Sequence, residues 1–472
     1  MIRRFDKQSV LAAISTAAVL LTNPLSGWAD DIPPMASQCR DAQINDQTIS
    51  YCSETGEVPL YLEDGSLGGT LFSAAFIGDE PARPVTFVWN GGPGGATWPL
   101  REQLAPTTFV AAETDTGFQF VDNDDSLLDA TDLVFMDAPG TGYSRVFSDA
   151  AKETFWNVSG DADVFADFIT DWLERHGREG SPVYLLGESY GGTRAVEVAA
   201  RLMDEPADSV QLAGLLLISP SIAGEIEGVE MPPRSAVLLP SEAASAHWHD
   251  KGDHTDLSLD ALIAQAEAFV ADDLTALPEP DALNYAQIAD TMSGYIGIDE
   301  TVLKAAELDL EATEFRRALL DAEGLVLTTY DGRATYPRPA PGESRSVIQQ
   351  RDGYDLHEAI VSSLTDDLGY ATSASYNRDP VEINNFWWAN GRSEVNALST
   401  LKRLTADGEL RVSVLAGYYD FAVPYLLQKL QIEALNAPAP SVSFEVYPAG
   451  HAVFEDHALK SVTLGAARDF LR

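Results

Sequence analysis

The sequence is poor in cysteine and in positive charge. Only Cys39 and Cys52 occur in 472 residues. Neither sits in a turn of the kind that presents a nucleophile, so cysteine catalysis has no candidate. Lys and Arg number 30 against 73 Asp and Glu, a formal net charge of -43. Such a surface repels nucleic acid and anionic membrane faces, which argues against a DNA- or RNA-binding role. No long acidic run gathers the charge into a tail, so the excess reads as a solubilising surface. Beyond residue 30 there is no apolar run long enough for a transmembrane helix, and stable membrane insertion is not expected. Internal repeats and low-complexity segments are also missing.

What is present begins with an atypical N-terminus. Arg3, Arg4 and Lys7 form a basic start, Val10 to Leu21 is apolar apart from Ser15 and Thr16, and Gly27-Trp28-Ala29 follows Pro24. This reads as a signal peptide over 1–29, cut after Ala29. Its apolar run is short for a bilayer span. Export to the periplasm or the medium follows, and an oxidising compartment favours a Cys39–Cys52 disulfide.

Hydrophobic residues make up 45% of the chain, enough for a large core. From residue 85 short apolar runs end in turn residues. Val85–Trp89 leads into Asn90-Gly91-Gly92-Pro93-Gly94-Gly95, and Leu133–Met136 into Asp137-Ala138-Pro139-Gly140. Val183–Leu186, Leu212–Ile218, Val412–Leu415 and Val442–Val446 repeat the pattern. Runs of this kind fit buried parallel strands, and helical patterns separate several of them. The expected architecture is α/β: a mostly parallel central sheet with helices on both faces. Residues 222–400 break the rhythm with helical stretches and Pro-rich loops. The expected organisation is a first core part at 30–221, an inserted, mainly helical cap at 222–400, and a second core part at 401–472.

Gly187-Glu188-Ser189-Tyr190-Gly191 follows one of these strands and precedes a helix. That context fits a nucleophile elbow, the sharp strand-to-helix turn of the α/β-hydrolase fold that lifts a serine hydroxyl above the sheet. A serine hydroxyl needs a base, and the base an orienting acid, in the chain order Ser, acid, His. Asp420 lies just beyond the Val412–Leu415 strand and His451 beyond the Val442–Val446 strand. The candidate triad is Ser189, Asp420 and His451. His176 on a helix, His357 in the cap and His457 in a polar stretch fit less well. The glycines after Asn90 suit an oxyanion loop, with donors expected at Gly92 and at Tyr190. The loop lacks the Gly-Lys-Ser/Thr ending of a phosphate-binding loop. His247 and His249, two apart on an expected helix, would not face one ligand, so no metal is expected. No cofactor is implied.

Trp89-Asn90-Gly91-Gly92-Pro93-Gly94, Asp137 through Ser144, Gly187 through Gly192, Gly417-Tyr418-Tyr419-Asp420 and Ala449-Gly450-His451 occur in that order. Together they resemble the serine carboxypeptidase family, its bacterial secreted members in particular, over about residues 50 to 472. The resemblance implies a metal-free acyl-enzyme route that releases the C-terminal residue of a peptide. Ser189 then attacks, His451 serves as base and acid, and Asp420 orients it. Asn90, Gly91 and Glu188 would hold the substrate's terminal carboxylate. The family has a second glutamate here before a Gly-Pro, but this chain reads Gln103-Leu104-Ala105-Pro106. Gln103 would donate to a carboxylate at any pH, so activity less confined to acid is expected. Two other readings stay open: an esterase or acyltransferase with the same triad, and a catalytically silent binding protein.

Overall fold

The computed structural model describes residues 32–112, 117–204, 210–279, 281–339, 350–351, 354–390 and 395–472. The expected signal peptide lies outside the described residues. The central sheet is built from β1 (Ala36–Ile44), β2 (Gln47–Tyr61), β3 (Leu67–Gly78), β4 (Val85–Trp89), β5 (Asp132–Met136), β6 (Arg145–Val146), β7 (Pro182–Glu188), β8 (Gln211–Ile218), β9 (Arg411–Gly417) and β10 (Val442–Tyr447). Its order is β1-β2-β3-β5-β4-β7-β8-β9-β10, with β6 paired to β3. The first three strands form antiparallel ribbons, and β3 meets β5 antiparallel. From β5 to β10 every pairing is parallel. The Cys39–Cys52 disulfide joins facing positions of β1 and β2.

Alternation along the strands feeds two cores. Phe87 and Trp89 of β4 point into one apolar cluster, and Val88 into the other. Val134 and Met136 of β5 join the first, Leu133 and Phe135 the second. With both faces covered, β4 and β5 are buried at every position, as a parallel strand between helix layers must be.

The helices that matter for the site are α1 (Trp98–Leu104), α2 (Val158–His176), α3 (Gly191–Asp204), α4 (Arg234–Trp248), α5 (Leu259–Asp273), α6 (Tyr285–Ile296), α7 (Val381–Asn390), α8 (Tyr425–Leu435) and α9 (Lys460–Leu471). Local sequence fixes their ends. Asn157 caps α2 by accepting from Gly160 N–H, and Gly177 closes it at φ 61°, where a Cβ would be strained. One start differs from expectation. The sequence suggests a helix over Ser241 to His249, yet α4 starts seven residues before Ser241 and runs through Pro240. Burial of Ala236, Val237, Leu238, Leu239 and Ala243 offsets the missing N–H at Pro240.

The insert between β8 and β9 contributes to three apolar clusters. Residues of α4, α5 and α6 make a third apolar cluster, which reaches the core through Tyr419, Phe421 and Tyr425. Leu356, Ile360, Leu364, Tyr370 and Tyr376 instead join the second sheet cluster. The helix Ala397–Leu404 packs its apolar positions into the first.

Candidate active site

β7 ends at Glu188, α3 begins at Gly191, and Ser189 between them takes φ 59°. A non-glycine residue there is strained, and strain held by surrounding bonds is common where chemistry occurs. The bonds are present. Ser189 N–H donates to Ile218 O, and Ser189 O accepts from Gly192 and Ser221 N–H, each at 2.9 Å. A Cβ at Gly187 would lie 2.2 Å from Gly191 O, so the turn requires glycine there.

Asp420 follows β9 and is fully buried. Its Oδ1 accepts from Ala422 N–H at 2.8 Å and Val423 N–H at 3.0 Å. Its Oδ2 lies 2.6 Å from His451 Nδ1. Three bonds thus fix the carboxylate, and the Nδ1 contact with Asp420 leaves Nε2 on the other side of the ring. The His451 backbone is held as well, by Tyr330 O at 2.6 Å and by the Ser219 hydroxyl at 2.8 Å. Burial acts to lower the imidazole pKa, but the charge and hydrogen bond of Asp420, with Glu188 and Glu455, outweigh it and raise the pKa. Among the described residues the Ser189 hydroxyl makes no hydrogen bond to His451. Such contacts are often loose in free enzymes and tighten with substrate.

Glu188 is buried beside the serine, and Asn90 Nδ2 donates to its Oε1 at 2.7 Å. Burial pushes its carboxyl up to about 7; His451 and the Asn90 bond oppose that shift, while Glu455 and Asp420 add to it. Asn90 Oδ1 accepts from Leu100 N–H of α1 at 3.4 Å, which sets the direction of its amide. Gln103 is buried on the same helix, and its backbone carbonyl accepts from Asn123. Among the described residues its side-chain amide makes no hydrogen bond to Glu188 or Asn90. Glu102 faces elsewhere, into a small cavity with Phe76, Thr107 and Phe109.

In the loop after β4, Pro93 has no N–H, Gly95 N–H donates to Gly91 O, and Gly94 N–H donates to Asn384 Oδ1. Gly91 and Gly92 carry the loop's remaining donors beside the elbow. A Cβ on Gly91 would lie 2.6 Å from Tyr190 N and 2.9 Å from Ser189 Cβ, so the loop backbone and the serine touch there. Gly92 takes φ 115°, open only to glycine.

Two supports carry no local signal in the sequence. Arg194 of α3 is fully buried, with Nε 2.7 Å from Asp161 Oδ2 of α2 and NH1 2.8 Å from Asn90 O. Tyr330, from the insert, lies with its ring centroid 5.3 Å from that of His451. Each residue alone resembles a surface cation or a loop tyrosine, and only the fold pairs them. Tyr330, Trp248, Arg333 and Glu455 wall an open cleft of about 510 Å³ with His451 at its edge. His247 and His249 bond the carbonyls of Leu257 and Gly332.

A serine at positive φ between strand and helix, with an Asp–His pair beyond two later parallel strands, defines the α/β-hydrolase fold. The serine carboxypeptidase family profile matches residues 71–266, which include Asn90 and Ser189 but stop before Asp420. Serine-type carboxypeptidase F of Aspergillus niger is 29% identical over 180 residues, 37% of this chain and 32% of that protein. Pheromone-processing carboxypeptidase KEX1 of Tuber melanosporum (strain Mel28) is 30% identical over 151 residues, 31% of this chain and 23% of that protein. The chain thus spans a third or less of the length of these curated relatives. Among solved structures, the prohormone-processing carboxypeptidase Kex1(delta)p of Saccharomyces cerevisiae superposes with a TM-score of 0.58 at 16% identity, covering 89% of this chain and 91% of that one. Over residues 71–266 the chain is thus similar to serine carboxypeptidases, and over most of its length it shares their fold.

Proposed function

We propose that this protein is an exported serine carboxypeptidase that releases C-terminal residues from peptides. Ser189 Oγ gives its proton to His451 Nε2 and attacks the scissile carbonyl. Backbone N–H groups of Gly92 and Tyr190 take the oxyanion, and Asp420 stabilises the imidazolium. His451 then protonates the leaving amine. Water, activated by the same histidine, releases the acyl group from Ser189. The substrate's terminal carboxylate is bound by Asn90 and Glu188.

The observation that carries this reading is the buried Asn90–Glu188 pair at 2.7 Å, next to the nucleophile. A hydrolase indifferent to a free C-terminus has no use for a protonatable carboxyl there. The test is a blocked dipeptide with a free C-terminus against its C-terminal amide. Cleavage of the free acid alone is expected, and equal cleavage of both would favour an esterase of broad use.

The pH dependence follows from two groups. Glu188 is neutral below about 7 and can donate to the substrate carboxylate; above that value it ionises and repels it. His451 must be unprotonated to act as base, and its raised pKa sets the acid limb. For the free-acid peptide, kcat/KM is therefore expected to fall up to about tenfold per pH unit above 7. A neutral ester substrate keeps its rate there. Glu188→Gln removes the alkaline limb while retaining a donor. Identical alkaline limbs for peptide and ester would remove Glu188 from carboxylate recognition.

A further inference from the structure

The loop after β4 is gripped from two sides. From beneath, Arg194 NH1 donates to Asn90 O at 2.8 Å and NH2 to Pro93 O at 3.4 Å. From above comes α7, which belongs to the insert rather than to the hydrolase core. Its Asn384 Oδ1 accepts from Gly94 N–H at 3.1 Å. Ile383, one residue earlier, is buried against Gly94 and Gly140; a Cβ on either glycine would stand 3.0 Å from it. One turn on, Trp387 sets its ring edge-on to Tyr190, with centroids 5.3 Å apart. Spacing of 383, 384 and 387 puts all three on one helix face. That face therefore meets both the glycine loop and the residue after Ser189. Those are the two segments whose N–H groups converge on the oxyanion position.

We infer that α7 is a clamp that sets oxyanion-hole geometry, with Asn384 as its positioning residue. Asn384 touches no reacting atom. By holding Gly94 N–H it fixes the peptide plane two residues beyond Gly92, in a stretch where glycines leave the backbone otherwise free to turn. Rate then depends on it through donor placement, since a displacement of about 1 Å can cost about 100-fold. The inference rests on the loop serving as the oxyanion hole.

The experiment compares Asn384→Leu, which keeps the shape and removes the acceptor, with Asn384→Asp, which keeps the acceptor. Steady-state kinetics are measured on a blocked peptide with a free C-terminus, alongside thermal unfolding. Asn384→Leu should lower kcat by about 10- to 100-fold with KM within about threefold. Asn384→Asp should return most of that loss. A partly exposed helix position predicts little change in unfolding temperature for either variant. Wild-type kcat in Asn384→Leu, or a loss that Asn384→Asp does not restore, overturns the clamp. If the unaltered protein shows no Ser189-dependent turnover at all, the functional reading itself fails, and the clamp with it.

Discussion

Ser189→Ala is expected to lower kcat on a free-acid peptide by about 10⁵- to 10⁶-fold and to abolish labelling by a fluorophosphonate probe. Folding should scarcely notice. Alanine keeps the Cβ, so the strain at φ 59° is the same for both residues. The bonds that fix the elbow all run through the Ser189 backbone, to Ile218, Gly192 and Ser221. Stability should therefore stay within about 0.5 kcal/mol of the parent, as for substitutions that break no buried contact. The combination is diagnostic, because a silent binding protein would lose nothing on either measure. Turnover near the parent level in a well-folded Ser189→Ala would remove Ser189 as nucleophile.

That prediction could be framed from sequence because the elbow is a local object. Gly187, Ser189 and Gly191 stand in one pentapeptide, and the strand before it is apolar at four successive positions. The parallel sheet was legible for the same reason: each strand declares itself within a few residues, and turn glycines punctuate its end. Asp420 and His451 were reachable through chain order and strand ends, although 30 residues of helix and strand separate them. What escaped was whatever depends on packing between distant segments. Arg194 and Asp161 lie on successive helices whose relative rotation the periodicity does not give. Asn384 and Tyr330 come from the insert, whose parts join three different clusters for reasons of shape rather than pattern. The start of α4 lies seven residues before Ser241, because burial of residues 235–246 carries the helix through Pro240 against local propensity.

Arg194→Met is expected to be the most destabilising of the site variants, and its two effects can be pulled apart. Arg194 and Asp161 have side chains 0% and 2% exposed and are 2.7 Å apart. Removing the guanidinium strands a carboxylate whose pKa burial already raises and Arg194 holds down. Breaking a buried pair by deleting one partner costs about 3–5 kcal/mol. The loss should shrink in acid, because a buried Asp with a raised folded-state pKa is destabilising above that pKa and neutral below its unfolded value of 3.8. Replacing both partners, as in Arg194→Met with Asp161→Leu, should restore most of the stability, since an apolar pair of similar volume avoids the desolvation penalty. Activity should not return with it. The carbonyls of Asn90 and Pro93 lose the NH1 and NH2 donors in both variants, so Asn90 and the glycines after it are no longer held from beneath. Thermal unfolding and kcat measured on the single and double variants separate the two roles. If the double variant recovers kcat along with its unfolding temperature, Arg194 acts only as a core ion pair. A double variant that is stable and still about 10- to 100-fold slow makes the guanidinium a positioning group for the loop that faces Ser189.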